Sequence, residues 1–416
     1  MPEIQAFRAW RYDSAKTGDL SKVLAPPYDV ISEKGRAALY AASPYNVVRL
    51  ILGKAEAGDN DSANKYTRAG QFLRDWKSSG VLRRDPAPAL YVYVQDYPEN
   101  GKTLTRIGFL AAMKIDERAV LRHENTLAAP KKDRLALLKE VETNLSPIFG
   151  LFEDKKAGVQ KILKTTIKNN PAIDVTIEGV RHRVFAEQRP EALAQIVKDL
   201  KQKPMFIADG HHRFEVACQY KRWCEGRSKN SEAGWNYVMT YFSDCLHNPF
   251  TIYPTHRLLK RPPSLKDPAR ALAARGTVLA AKNLEGMLKK LTGPYRFGVY
   301  TKEKGFFVLA LNKKFAPDPS ASPVEKLDVA VLHREIVEPF FKIKSIEKSK
   351  AIDFTRDGRE AVRRVGEGEF DAALFLRPTS LPEMILVSKK GLKMPQKSTY
   401  FYPKLLSGLA FHSFED

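Results

Sequence analysis

Residues 203–223 read KPMFIADGHHRFEVACQYKRW, with Asp209, Gly210, His211, His212 and Arg213 in succession at the centre. Met205 to Ala208 form a short apolar run suited to a buried strand. Phe214, Ala217, Cys218 and Lys221 then begin a helical period, so the glycine falls at a strand-to-helix turn. Such a turn suits an anion. The first helical N–H groups lack partners, the helix dipole is positive there, and a glycine lets the backbone approach a ligand closely. Arg213 brings a planar fork able to hold two phosphate oxygens, and His211 and His212 add donors. Asp209 is open to three roles: it could cap the helix, ligate Mg²⁺ beside phosphates, or take a proton from a hydroxyl nucleophile.

A second polar block, Arg122, His123, Glu124, Asn125 and Thr126, stands between an apparent strand and a helix marked by Leu135, Leu138 and Val141. A His–Glu pair on such a loop could serve as acid, base or metal ligand, or could be a solvated loop closed by a salt bridge. Two further candidates come from the ends of the chain. APPYDVIS places Tyr28 and Asp29 after a rigid turn, and MPQKSTYFYPKLLSG places Lys397, Ser398 and Thr399 between prolines. Lys-Ser-Thr is like the tail of a phosphate-binding P-loop, but the required glycines are missing, which leaves these residues as substrate or phosphate contacts.

The elements that must position these groups alternate. The pattern predicts a helix that Ser32 can cap, a strand over Asn46–Leu52, and an amphipathic helix on Tyr66, Ala69, Leu73 and Trp76 that Gly80 ends. Hairpins are expected around Asn100-Gly101, Glu178-Gly179 and Lys304-Gly305, with strands over Tyr237–Phe242 and Phe370–Leu376 and helices over Pro190–Lys201 and Val324–Phe341. This is a mixed α/β pattern in two parts. The composition turns to Pro and Lys near Pro262, which divides the chain into a domain of residues 1–262, carrying the DGHHR turn, and one of 263–416, carrying MPQKSTYFYPK.

The chain has 416 residues, 43% of them hydrophobic, enough for proper cores. Its net charge of +21 favours polyanionic partners, yet the 69 Lys and Arg are dispersed without a basic tract, so nucleic acid is a possible partner and not a required one. Cys218, Cys224 and Cys245 lack metal or redox spacing and read as buried thiols. Neither a secretory leader nor a membrane span is evident, and a cytoplasmic location is expected.

APPYDVIS, RHENT followed by DRLALLKEVETNLSPIFGLF, ADGHHRFE, PTHRLL and MPQKSTYFYPKLLSGL together resemble the bacterial and archaeal family named for domain of unknown function 1015. More distantly, DGHHR is similar to the phosphate-binding turn of the ParB/sulfiredoxin-like superfamily, whose free-serine kinases carry an Asp-Gly-His-x-Arg version. Sulfiredoxin chemistry needs a cysteine where His212 stands, and the partition proteins need a helix-turn-helix after the nucleotide domain, where this sequence reads as mixed α/β instead. That resemblance implies a nucleotide-binding first part, with Gly210, His211, His212 and Arg213 at the phosphates. Asp209, Glu124 and His212 would be the catalytic residues, with Asp209 or Glu124 as base. The expected cofactor is ATP or CTP with Mg²⁺ held by Asp209. The expected reaction is phosphoryl transfer to a small hydroxylated metabolite such as free serine. The alternative is a nucleotide-dependent nucleic-acid-binding or regulatory protein.

Overall fold

The computed structural model describes residues 2–415 apart from 127, 229, 231, 347 and 348. Two compact units form, one of Met1–Arg122, Thr126–Phe250 and Pro403–Asp416, the other of His123–Asn125 and Thr251–Tyr402. The division thus falls before the expected 262/263, and the end of the chain returns to the first unit. Long-range pairing is the reason. Thr251–Ile252 pairs antiparallel with Phe401–Tyr402 in the second unit. In the first, Ser407 donates to the Ala25 carbonyl at 2.8 Å, Phe411 bridges Trp10, and His412–Ser413 pairs with Thr143–Asn144. A linear change of composition carries no sign of these pairings.

The first unit is built on a mixed sheet whose strands run Val120–Leu121, Met205–Asp209, Ile148–Phe152, Tyr237–Asp244, Lys102–Lys114, Leu90–Glu99, Val180–Glu187 and Ile173–Ile177 in spatial order, with Ile4–Gln5 added against Lys102–Lys114. Both long hairpins turn where expected: Asn100 and Gly101 have φ of 49° and 75°, and Glu178 and Gly179 have φ of 49° and 77°, the pair of positive values that a tight two-residue turn requires. One face of the sheet buries Val92, Val94, Phe109 and Phe242 against Val159, Leu163, Ile196, Leu200 and Phe214. The other carries aromatic rings, with Tyr241 5.5 Å from Tyr93 and 5.3 Å from Phe149. Covered on both faces, the central strands read as continuous apolar runs rather than alternating ones.

Two expected elements differ. Asn46–Leu52 contains no strand; Val48–Ile51 is a single helical turn. The Asn46 side chain accepts the Val48 N–H at 2.9 Å and donates to the Lys22 and Leu24 carbonyls, which starts the turn and pins it. A short buried apolar run is ambiguous between the two structures. The helix expected over Val324–Phe341 begins at Asp328 and widens into a π-turn at His333–Val337 before Glu338–Phe341. Pro339 has no N–H to give to the Glu335 carbonyl, and Arg275 Nε donates to that carbonyl instead, at 3.3 Å.

The second unit is an antiparallel sheet in the order Gly276–Ala281, Gly305–Leu311, Arg296–Thr301, Ala372–Phe375, His256–Leu259 and Ile352–Thr355. Leu258, Val308, Ala373 and Phe375 from its strands pack on Met287, Ala361 and Val365 from the helices. Both units are therefore mixed α/β. Among the described residues no helix is long and apolar enough to cross a membrane.

Gly108, on Lys102–Lys114, leaves the least room for a side chain of the described glycines in the first unit. A Cβ there would lie 2.3 Å from the Phe242 carbonyl and 2.4 Å from the Tyr241 ring. Gly108→Ala must displace backbone or an interior ring, and we expect it to cost ~1–3 kcal/mol in urea denaturation. Unchanged stability would contradict this packing.

Candidate functional site

Met205–Asp209 lies between Ile148–Phe152 and Val120–Leu121, and Asp209, its last residue, pairs with Phe149. Gly210 follows at φ 92°, and His211–Glu225 is a helix. The helix is wedged in place: Phe214, Ala217 and Cys218 pack on the sheet, while Val216, Tyr220 and Cys224 pack on Leu138 of the helix Ala128–Val141. Burial pushes the Cys218 thiol up to about 12, in keeping with an inert packing residue. The strand, turn and helix start fall where the sequence places them.

No side chain caps this helix. The Asp209 carboxylate turns back to accept the N–H of Gly210 at 2.9 Å, so it closes the turn ahead of the helix. Gly210 is required twice over. Its φ is positive, and a Cβ would stand 3.1 Å from the Arg213 guanidinium, which folds back over the turn. Arg213 donates to the Pro147 carbonyl and lies 3.6 Å from Asp209, with its side chain 14% exposed. Its fork is thus held by the protein itself.

The residue that completes the cluster is Lys404, whose Nζ is 3.1 Å from Asp209 Oδ2. Its backbone is clamped from the sheet: Arg106 donates to the Pro403 carbonyl at 2.5 Å, and Gln95 donates to the Lys404 carbonyl at 2.9 Å. Arg106 is fully buried and stacks on Phe149 at 4.8 Å. Burial acts to raise the Asp209 carboxyl, but Lys404 and Arg213, with His211 behind them, outweigh it and hold the group well below the usual carboxylate range. His211 is buried and His212 half-buried.

One turn along the helix, Glu215 accepts from Arg122 at 3.3 Å, Thr126 at 2.5 Å and Lys131 at 3.0 Å. The two outer residues of RHENT are therefore structural ties to the helix. Tyr28 sits against Arg134, its ring 4.2 Å from the guanidinium carbon, and lines a cavity of about 70 Å³ with Arg134, Thr143, Ser146 and Arg213. Its phenol is raised by burial first and by Asp29 next, against Arg213 and Arg134. Asp29 itself is exposed.

The remaining candidates belong to the second unit. Glu124 forms a parallel bridge with Met394, whose N–H donates to the His123 carbonyl at 2.7 Å, and His123 Nε2 lies 3.4 Å from the Thr399 hydroxyl. Asn125 follows in the same segment. Ser398 donates to the Pro395 carbonyl, and Lys397 is exposed at φ 57°. The structure thus groups Tyr28 with the DGHHR turn in one unit, and His123 and Glu124 with Lys397–Thr399 in the other.

As a ligand set, uncapped helical N–H groups beside a lysine and an arginine fit phosphate oxygens. They do not fit a resident Mg²⁺, because the Asp209 oxygens already carry an N–H and an ammonium. Lys404, Glu215 and Arg134 were not singled out in the sequence. For Lys404 a signal existed: a lysine between Pro403 and the apolar pair Leu405 and Leu406 is out of place unless its charge is met.

A mixed α/β chain with a cationic strand-to-helix turn is thus defined. The family described as "Protein of unknown function (DUF1015)" matches residues 4–330, and the chain belongs to that family. No curated protein matches it. Among solved structures it is similar to a free serine kinase variant in complex with AMP, at a TM-score of 0.37 and 13% identity over 70% of this chain and 87% of that one. A conserved hypothetical protein from Pyrococcus furiosus gives 0.38 and 13% over 73% and 96%, and SbnI with a C-terminal truncation from Staphylococcus aureus gives 0.37 and 11% over 72% and 85%. At these scores the three likenesses carry no argument.

The depressed Asp209 carboxyl makes a pH prediction. Its folded value lies below the unfolded value near 3.9, so the ion pair contributes its full stabilisation above about pH 4 and loses it as the pH falls further. Asp209→Asn, which strands Lys404 and Arg213 without a counter-charge, should cost up to ~3 kcal/mol at neutral pH. The gap to the native protein should close in urea denaturation below about pH 4. A gap of constant size would place the stabilisation elsewhere.

Proposed function

We propose that the Asp209–Arg213 turn, completed by Lys404, binds the phosphates of a nucleoside triphosphate, ATP or CTP, and that the protein transfers the terminal phosphoryl group to the hydroxyl of a small metabolite. The single observation carrying this reading is the convergence of Lys404 and Arg213 on an uncapped helix start with a left-handed glycine. The DGHHR sequence, which resembles the turn of free-serine kinases, supports it and makes free serine the first acceptor to assay. Mg²⁺ would enter with the nucleotide, bound by its phosphates.

In this reading the helical N–H groups, Arg213 and Lys404 take up the charge that spreads over the transferring group, which is most of what such a reaction asks of a protein. His212, at the first turn, adds a donor. Asp209, held low by its cationic neighbours, orients the attacking hydroxyl and receives its proton late, when the oxygen is already bonding to phosphorus. The same carboxylate keeps two cations close together before the phosphates arrive.

Calorimetric titration of ATP and CTP into the native protein, Arg213→Lys and Lys404→Met tests this reading. Lysine keeps the charge at position 213 but loses the fork, and methionine removes a charge-assisted donor. Each should weaken binding roughly tenfold to a hundredfold, from ~1.5 to 3 kcal/mol per lost charged hydrogen bond. Arg213→Lys should also lower stability by about 1 kcal/mol through its Pro147 contact. Equal affinities in all three proteins, or no binding to the native one, would overturn the assignment.

A further inference from the structure

Arg257 stands on His256–Leu259 in the second unit, paired with Phe354 on one side and Leu374 on the other. The residue is 3% exposed. Its guanidinium, with five N–H donors, meets two acceptors among the described residues, both backbone carbonyls: that of Thr255, and that of Lys397 at 3.4 Å. Among the described residues no carboxylate lies within ion-pair distance of it. The Phe354 ring, 5.6 Å away, lies near the outer limit of a cation–π contact and brings no full negative charge. Burial alone lowers the guanidinium to about 10, so it stays charged at neutral pH.

Other arginines show what a satisfied one looks like in this protein. Arg377 meets Asp328 at 2.6 Å and Glu383 at 3.0 Å, and Arg364 meets Asp353 at 2.7 Å and Glu369 at 2.5 Å. Arg106, buried in the first unit, has the Gln95 amide, the Pro403 carbonyl and the close face of Phe149. A buried cation without its partner is costly, and proteins rarely keep one. Beside Lys397, moreover, the buried Nε2 of Gln396 has no hydrogen-bond partner among the described residues. Both unmet groups are donors, so the missing partner is an acceptor with negative charge.

We propose that Arg257, which meets the Lys397 carbonyl, and Gln396, the residue before Lys397 in the chain, form an oxyanion site in the second unit that takes the carboxylate or phosphate of a small metabolite. The planar fork suits either ion in a bidentate grip. Lys397 is the gate. Its carbonyl makes the one long bond to Arg257, its backbone sits in the left-handed region at φ 57°, and an entering oxyanion replaces that carbonyl with a full charge. This site does not rest on the nucleotide reading.

The test is thermal unfolding in increasing inorganic phosphate or acetate, each against sodium chloride of equal ionic strength. It is run on the native protein, on Arg213→Ala to remove the turn in the first unit, and on Arg257→Met. One of the two anions should raise the midpoint saturably by about 2–4 °C in the native and Arg213→Ala proteins and leave Arg257→Met unmoved. The anion that does so separates a phosphate site from a carboxylate site. Without anion, Arg257→Met should unfold at the native temperature or above it, since an uncompensated charge has been removed. No saturable rise in Arg213→Ala, an equal rise in Arg257→Met, or a lower anion-free midpoint for Arg257→Met would overturn the proposal. If Arg257→Met does not fold, Arg257→Lys takes its place, and an equal rise there overturns it as well.

Discussion

The contact between Asp209 and Lys404, groups 195 residues apart in sequence, constrains the whole first unit. It can form only if the end of the chain comes back to the sheet, and the sheet is equipped to receive it. Arg106 and Gln95, on neighbouring strands, fix the carbonyls of Pro403 and Lys404, and Ser407 and Phe411 pair with Ala25 and Trp10. Arg213, Asp209 and Gly210 are then locked in one arrangement, because the guanidinium fills the space a Cβ would need. A largely buried ion pair roughly breaks even as a source of stability, while losing one partner here costs up to ~3 kcal/mol. Its value lies in position: it keeps two cations at the start of a helix that already favours anions.

The charge of the chain has local structure that a net value of +21 conceals. Around Glu215, Arg122 and Lys131 share one carboxylate with a threonine hydroxyl as third donor, and Glu215 is held below its usual range because those three outweigh its burial. Asp133 is pulled down to about 2 in the same way, its burial outweighed by Arg134, Lys65 and Tyr66. These carboxylates are consumed in holding helices together. Asp209 differs because it and its two cations stand at the start of a helix with no side-chain cap, and Arg257 differs further because, among the described residues, it meets no carboxylate.

Much of this was legible in the sequence where one local rule decides. The strand, glycine and helix of the DGHHR turn, and both Xaa-Gly hairpins of the first unit, follow from apolar period and from the need for positive φ. The run Asn46–Leu52 reads as strand, yet Val48–Ile51 is a helical turn, because a short buried run looks the same in either form and the Asn46 side chain that starts the turn acts through its hydrogen bonds rather than its type. The functional reading of Lys397–Thr399 drew on a tripeptide likeness, and it passed over Lys404, whose importance comes entirely from where Arg106 and Gln95 hold it. Glu215 was hidden for a related reason: its partners lie about ninety residues away in sequence. Arg257 sits inside the quoted PTHRLL, where nothing in the letters tells that its charge is buried and unmet.

A double-mutant cycle on stability at neutral pH, with Asp209→Asn, Lys404→Met and the two combined, tests the central claim most directly. If the pair organises the turn, the double substitution costs less than the sum of the singles, with a coupling of roughly 1–3 kcal/mol. Additive effects, agreeing within ~0.3–0.5 kcal/mol, would mean that Lys404 and Asp209 act separately and that the cationic turn described here is not a single unit.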